Sequence, residues 1–112
     1  MRTINIFLTD PMAGDLPDFD NGDIRYAFAR LYPDGPRRLV EGPVCAFVDW
    51  VMADMSGLEM CRRLRSDPRM DDAHITIVLE EDDAEDKRRA LRAGADDYIV
   101  GPIDRTVVLD RV

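Results

Sequence analysis

The sequence predicts an α/β domain: a parallel sheet with helices packed on both faces. Three observations point to it. Residues 44–48 and 75–79 are nearly unbroken apolar runs of strand length, the pattern of strands buried on both sides. Each is followed by a segment of helical spacing with its own start and stop signals. Strand-length and helix-length segments alternate along the chain, the mark of βαβ units. With 112 residues the chain is read as one domain, 1–112, holding a single sizeable core.

Taken in order, residues 4–8 form a short apolar run ended by Thr9-Asp10-Pro11, a strand entering a loop. Residues 11–23 are rich in Pro, Gly and Asp, so a helix there is short or broken. Residues 24–32 fit two periods. Ile24, Ala27, Phe28, Leu31 and Tyr32 suit a helix capped by Asp23, whereas alternation of Tyr26 and Phe28 suits a strand. Residues 33–43 hold three prolines and two glycines, leaving room for a turn or two of helix. After the strand at 44–48, Ser56 and Glu59 have capping-box spacing. Leu58, Cys61 and Leu64 then make one apolar face, and Ser66-Asp67-Pro68 ends the helix. Past the strand at 75–79, acidic residues 80–86 suit a helix N-terminus, and Lys87 to Arg92 fill its later turns. Gly94 is a candidate cap, residues 98–100 a short strand closed by Gly101-Pro102, and a last helix starts near Asp104.

Composition excludes several function classes. The chain is 46% hydrophobic and 34% charged, as in a soluble globular protein and unlike a disordered tail. A net charge of −8 disfavours a nucleic-acid face, which needs clustered positive surface. The basic groups Arg37-Arg38, Arg62-Arg63 and Lys87-Arg88-Arg89 all have acids nearby and read as solvated faces. No apolar stretch is long enough to span a membrane, and 1–11 does not read as a signal peptide. Two cysteines in apolar settings fit packing in a reducing cytoplasm, and His74 reads as a surface residue.

Ligands of such sheets gather beyond the carboxyl ends of the strands, where Asp10 and Asp49 both stand. If their strands are neighbours, two carboxylates and a backbone carbonyl form a hard-oxygen site suited to Mg²⁺.

Two stretches carry a family resemblance. Residues 49–57, DWVMADMSG, resemble the D-x-x-M-P-x-x-x-G signature of bacterial response-regulator receiver domains, with Ala53 in place of proline. Residues 93–102, AGADDYIVGP, resemble the family's A-G-A-x-x-Y-x-x-K-P, with Gly101 in place of lysine. The likeness covers 44–112 well and 1–43 loosely. It implies a flavodoxin-like, doubly wound sheet of five parallel strands in the order 2-1-3-4-5, with shortened or irregular first and second helices. It also implies that Asp49 occupies the position that accepts a phosphoryl group from a partner's phosphohistidine. Mg²⁺ would be held weakly by Asp10, Asp49 and the Val51 carbonyl, with Tyr98 as the switch aromatic. Four positions of the implied site depart from the pattern: Thr9 replaces one acid, Leu79 the hydroxyl residue, Glu80 a small residue and, as noted, Gly101 the lysine.

Phosphoryl transfer relies on cations and donors that neutralise charge on the equatorial oxygens. Losing one preorganised donor costs about 3–4 kcal/mol of transition-state stabilisation. A carboxylate about 4 Å from the phosphoryl group adds a repulsion of roughly 1–4 kcal/mol. The expected function is therefore an atypical, degenerate receiver (a pseudo-receiver) that regulates through protein–protein contacts, is not an enzyme and has no catalytic residue. Glu80 reads either as part of a solvated loop or as a built-in phosphate substitute. The resemblance places an output and dimer face at 83–112, with Lys87, Arg88, Arg89, Arg92, Asp96 and Asp97 available for cross-subunit ion pairs. A histidine kinase or phosphotransfer protein is a further expected partner, and an output domain is expected beyond Val112. Two alternatives stay open: a competent receiver phosphorylated on Asp49 with Mg²⁺, and a small doubly wound hydrolase with Asp49 as nucleophile.

Overall fold

The computed structural model describes residues 2–9, 16–36 and 40–112. Asp10, Arg37 and Arg38 therefore lie outside the described residues, as does most of the loop that follows the first strand. Six strands and three helices follow in the order β1 (Arg2–Leu8), β2 (Phe19–Asp20), β3 (Ile24–Arg30), β4 (Val44–Asp49), α1 (Gly57–Arg65), β5 (His74–Leu79), α2 (Ala84–Arg92), β6 (Asp97–Val100) and α3 (Arg105–Arg111). They build one sheet, β2-β3-β1-β4-β5-β6. Five strands run parallel, and counted among themselves they follow the expected order 2-1-3-4-5. The two-residue β2 adds an antiparallel rung at the β3 edge.

Residues 24–30 resolve as a strand, because tertiary pairing favours the period of two. All seven residues of β3 pair in register with β1, from Arg2 beside Ile24 to Leu8 beside Arg30. Tyr26 and Phe28 pack on one sheet face and Ala29 on the other. The turn into β3 is built by Asn21, whose side-chain oxygen accepts from the amides of Asp23 and Ile24 at 3.1 and 2.9 Å. The described part of 11–23 thus holds a strand and a turn in place of a short helix. The described part of 33–43 carries a turn and no helix.

Alternation along the strands divides the core in two. Phe7, Ala46, Val48, Ile75, Ile77 and Leu79 face α1 and α2, which bury Met60, Cys61, Leu64 and Ala90 against them. Ile6, Leu8, Phe28, Phe47 and Val78 face the other way, toward Val108 of α3. Helices on both faces make the sheet doubly wound. Fully burying one side chain of Leu or Ile size contributes roughly 1.5–3 kcal/mol, so packing on the sheet holds these short helices more than intrinsic propensity does.

Each helix starts on a side-chain cap. Ser56 accepts from the Glu59 amide at 3.2 Å, Asp83 from the Asp86 amide at 3.0 Å and Asp104 from the Val107 amide at 2.9 Å. The capping box at Ser56 is half realised, since the Glu59 carboxylate turns along the helix to Arg62 and Arg63. Gly94 follows α2 with φ of +108°, a left-handed turn that other residues adopt at a cost. None of the described helices is long and apolar enough to cross a membrane.

Candidate functional site

The parallel register brings four strand ends to one edge. Asp49 closes β4 and pairs with Val78 of β5, Leu79 pairs with Val100 of β6, and Thr9 follows β1 beside β4. Hydrogen bonds carry this alignment past the strands. The Trp50 amide donates to the Val78 carbonyl at 2.9 Å, and the Gly101 amide donates to the Leu79 carbonyl at 2.8 Å. Beyond these ends lies a cleft of about 420 Å³ lined by Asp49, Val51, Leu79, Glu80, Gly101 and Pro102, among others. The Gly101–Pro102 peptide bond is cis. Three of the four positions singled out for departing from the family pattern thus share one cleft with Asp49, and Thr9 adjoins Asp49 from the other side.

Thr9 is buried, 8% exposed, and its hydroxyl makes two contacts with a single residue. It donates to Asp49 Oδ2 at 2.8 Å and accepts from the Asp49 amide, also at 2.8 Å. The Thr9 amide in turn donates to the Phe47 carbonyl at 3.1 Å, so the side chain extends the β1–β4 ladder by one rung.

After Asp49 the chain folds back on itself. Gly57 donates to the Trp50 carbonyl at 2.9 Å, Met52 to the Met55 carbonyl at 3.2 Å, and Val51 bridges Ser56. This return presses the first turn of α1 onto the end of β4. A Cβ on Gly57 would collide with the Asp49 carbonyl oxygen, so the last glycine of the 49–57 motif is required by close backbone approach. A second, smaller cavity of about 150 Å³ on the Thr9 side of Asp49 is lined by Arg30, Asp54 and Met52 as well. Arg30 and Asp54 carried no sequence signal. Arg30 ends the segment whose period was ambiguous, and only its assignment as a strand parallel to β1 puts its last residue beside Thr9.

The Glu80 carboxylate lies elsewhere on the cleft lining; the described oxygens that stand at the expected metal position are the Asp49 carboxylate and the Val51 carbonyl, with the Thr9 hydroxyl already bonded to Asp49. They are hard ligands of the kind Mg²⁺ takes, but they carry one negative charge. Among the described residues no three His, Cys, Asp or Glu side chains converge as a metal site.

Leu79 is 1% exposed and belongs to the core cluster against which Tyr98 packs, half-buried, on the α1–α2 face. The Lys87 ammonium lies 5.2 Å from the Tyr98 ring centroid and pairs with Asp82, which holds its pKa above the ordinary lysine range. Arg88, Arg89, Asp96 and Asp97 on this face also have partners within the chain. Arg88 and Arg89 both reach Glu85, at 2.9 and 3.7 Å. Hydrogen bonding to Arg88 is the main cause that keeps the Glu85 carboxyl low, and Arg92 adds to the positive field there. Asp97 pairs with Arg111 at 2.7 Å. Asp96 accepts from the Ile75 amide at 2.8 Å and from Arg65 at 2.6 Å. Burial pushes the Asp96 carboxyl up, but the Ile75 amide and Arg65 outweigh it and leave it below the usual range.

Comparison with known proteins follows from this geometry. The family model described as the response regulator receiver domain matches residues 39–112. The phosphate regulon transcriptional regulatory protein PhoB of Rhizobium meliloti is 34% identical over 70 residues, 62% of this chain and 31% of its own length. Chemotaxis protein CheY1 of Helicobacter pylori is 33% identical over 64 residues, 57% of this chain and 52% of its own. The chain therefore matches a third to a half of the length of these relatives. Among solved structures, Vibrio cholerae chemotaxis protein CheY4 superposes with a TM-score of 0.66 at 15% identity, over 99% of this chain and 95% of that one. The response regulator DrrB of Thermotoga maritima gives 0.61 at 19% identity, over 99% and 50%. Both structures share the fold.

Proposed function

The chain belongs to the response-regulator receiver-domain family of two-component signalling, a family of signalling domains and not of enzymes, and from that premise we propose that it regulates through protein–protein contacts without being phosphorylated. The observation that carries this reading is the lining of the cleft at Asp49. Among the described residues that line it there is no lysine or arginine, Leu79 turns its side chain into the core, and Glu80 adds a carboxylate at the rim. Phosphorylation of Asp49 would need its oxygen to attack the phosphorus of a phosphohistidine as the P–N bond breaks and the imidazole takes up a proton. Charge on the three equatorial oxygens must be neutralised during that step. Mg²⁺ supplies such neutralisation when bound. The residues that would hold it are Asp49, the Val51 carbonyl and Asp10, and they hold it weakly because Thr9 contributes no charge.

The contact surface in this reading is α2, β6 and α3. Leu91 and Val100 are apolar residues 48% and 40% exposed there, and Arg88, Arg89, Arg92, Asp96 and Asp97 lie in the same stretch of chain. A second copy of the chain or an output domain of the same protein is the class of partner. Because Arg88, Arg89, Asp96 and Asp97 are paired within one chain, association exchanges ion pairs and gives orientation more than affinity. The reading places the domain in the cytoplasm.

Incubation with acetyl phosphate and Mg²⁺, followed by intact mass measurement, tests the proposal. Unchanged mass is expected. A phosphoryl increment that disappears in Asp49→Asn would establish the second reading, a competent receiver, which the retention of Asp49 at the cleft favours.

A further inference from the structure

We propose that Thr9 is a positioning residue whose hydroxyl orients the Asp49 carboxylate through two hydrogen bonds. The inference deepens the phosphorylation-independent reading and rests on it for its regulatory meaning: the site is held in a single state from within. One hydroxyl oxygen is bonded to both the amide and Oδ2 of the same aspartate, at 2.8 Å each. Those two contacts close a ring through N, Cα, Cβ and Cγ of Asp49: the amide bond fixes the hydroxyl beside the backbone, and rotation about either side-chain torsion carries Oδ2 away from it. A hydroxyl can do this because it carries one donor and two acceptor sites. The anchor itself is stiff. Thr9 is buried and β-branched, and its own amide is bonded to the Phe47 carbonyl at 3.1 Å.

The chemistry at position 9 decides what else the site needs. An ionised acid there would set a second negative charge against Asp49 Oδ2 and would require a proton or a divalent ion between them. Threonine donates where an acid would repel. Thr9 thus performs the orienting part of a task otherwise shared by an acid and a metal, and supplies none of the charge.

NMR of the chain without metal reads both bonds. In the wild type, the Thr9 hydroxyl proton is expected in slow exchange with water and close to the Asp49 amide proton. Thr9→Ser should leave the Asp49 amide and ¹³Cγ resonances near their wild-type positions. Thr9→Val should move both and speed exchange of the Asp49 amide about ten-fold, the loss of one hydrogen bond. A ¹³Cγ resonance that stays in place in Thr9→Val overturns the proposal, since Thr9 would then only cap a strand. If Thr9→Val does not fold, the wild-type hydroxyl proton decides alone, and averaging with water overturns the proposal. Phosphoryl transfer to the wild type would overturn the reading above while leaving these resonances as the separate test of Thr9.

Discussion

The ring of Tyr98 sits beneath the ammonium of Lys87, 5.2 Å from its centroid, while Asp82 holds the same ammonium. Asp82 belongs to the loop that begins at Glu80, so this contact ties the cleft rim to the half-buried aromatic of β6. With Leu79 in place of a hydroxyl residue, the tie is electrostatic. Lys87→Met keeps most of the stem and removes the charge. It is expected to shift the Tyr98 ring resonances and the Asp82 signals together, whereas Lys87→Arg keeps both close to wild type. Independent movement of the two sets would remove the coupling. High salt should loosen the exposed Lys87–Asp82 pair in the wild type in the same direction.

Backbone approach between Gly57 and Asp49 predicts a large and specific cost for a single methyl. In Gly57→Ala the new Cβ meets backbone, which cannot swing aside, and about 3 kcal/mol of stability should be lost. Gly22 serves as a contrast. Its φ is +94° with nothing within 4 Å of an added Cβ, so Gly22→Ala pays only for the left-handed backbone, about 1 kcal/mol. Urea midpoints of the two variants measure the difference, and equal losses would contradict the close approach.

Asp96 predicts an acid-side dependence of stability. Its carboxyl is held below the usual value in the folded chain, so its contribution is complete above the unfolded value of about pH 4 and is lost as pH falls through the folded value. The group is 43% exposed, and screening reduces the effect to about 1 kcal/mol. Asp96→Asn should lower the urea midpoint at neutral pH and flatten its fall on the acid side of about pH 4. An unchanged acid limb would place the dependence on other carboxylates.

Supplying what the cleft lacks should produce chemistry. The triple variant Leu79→Thr, Glu80→Ala, Gly101→Lys adds a donor and a cation and removes a carboxylate. Since each preorganised donor is worth about 10²–10³ in rate, phosphorylation by acetyl phosphate with Mg²⁺ should become measurable. A Cβ at position 101 would stand 3.0 Å from Val78 Cγ1, so Gly101→Lys needs a small shift of that side chain and no backbone movement. A triple variant that folds and stays unmodified would mean that these three positions do not account for the site.

Much of this arrangement was legible in the chain because it is written locally. The runs at 44–48 and 75–79, the Ser56 cap and the glycine after α2 all depend on neighbours a few residues away. The cleft was legible by a different route: two motifs at the ends of successive strands specify positions that parallel pairing then brings together. What stayed hidden depends on long-range partners. Residues 24–30 fit two periods until β1 paired with them. The Thr9–Asp49 bonds span 40 residues, and the pattern marked Thr9 as a missing acid without showing that it bonds Asp49. Glu59 had the spacing of a capping box, but arginines at 62 and 63 offered its carboxylate opposite charge within the helix. Arg65 was one of several surface arginines by sequence. In the fold it bonds the carbonyls of Asp71, Ala73 and Gly94 and the Asp96 carboxylate, tying α1 to the segments before β5 and after α2.

The central claim is that the Asp49 cleft does not take a phosphoryl group. Trp50 adjoins Asp49 and lines the same cleft, so its fluorescence reports directly on what binds there. Titration of the chain with beryllofluoride, a phosphoryl mimic, in the presence of Mg²⁺ should leave Trp50 emission unchanged. A saturable, Mg²⁺-dependent change that is lost in Asp49→Asn would contradict the account.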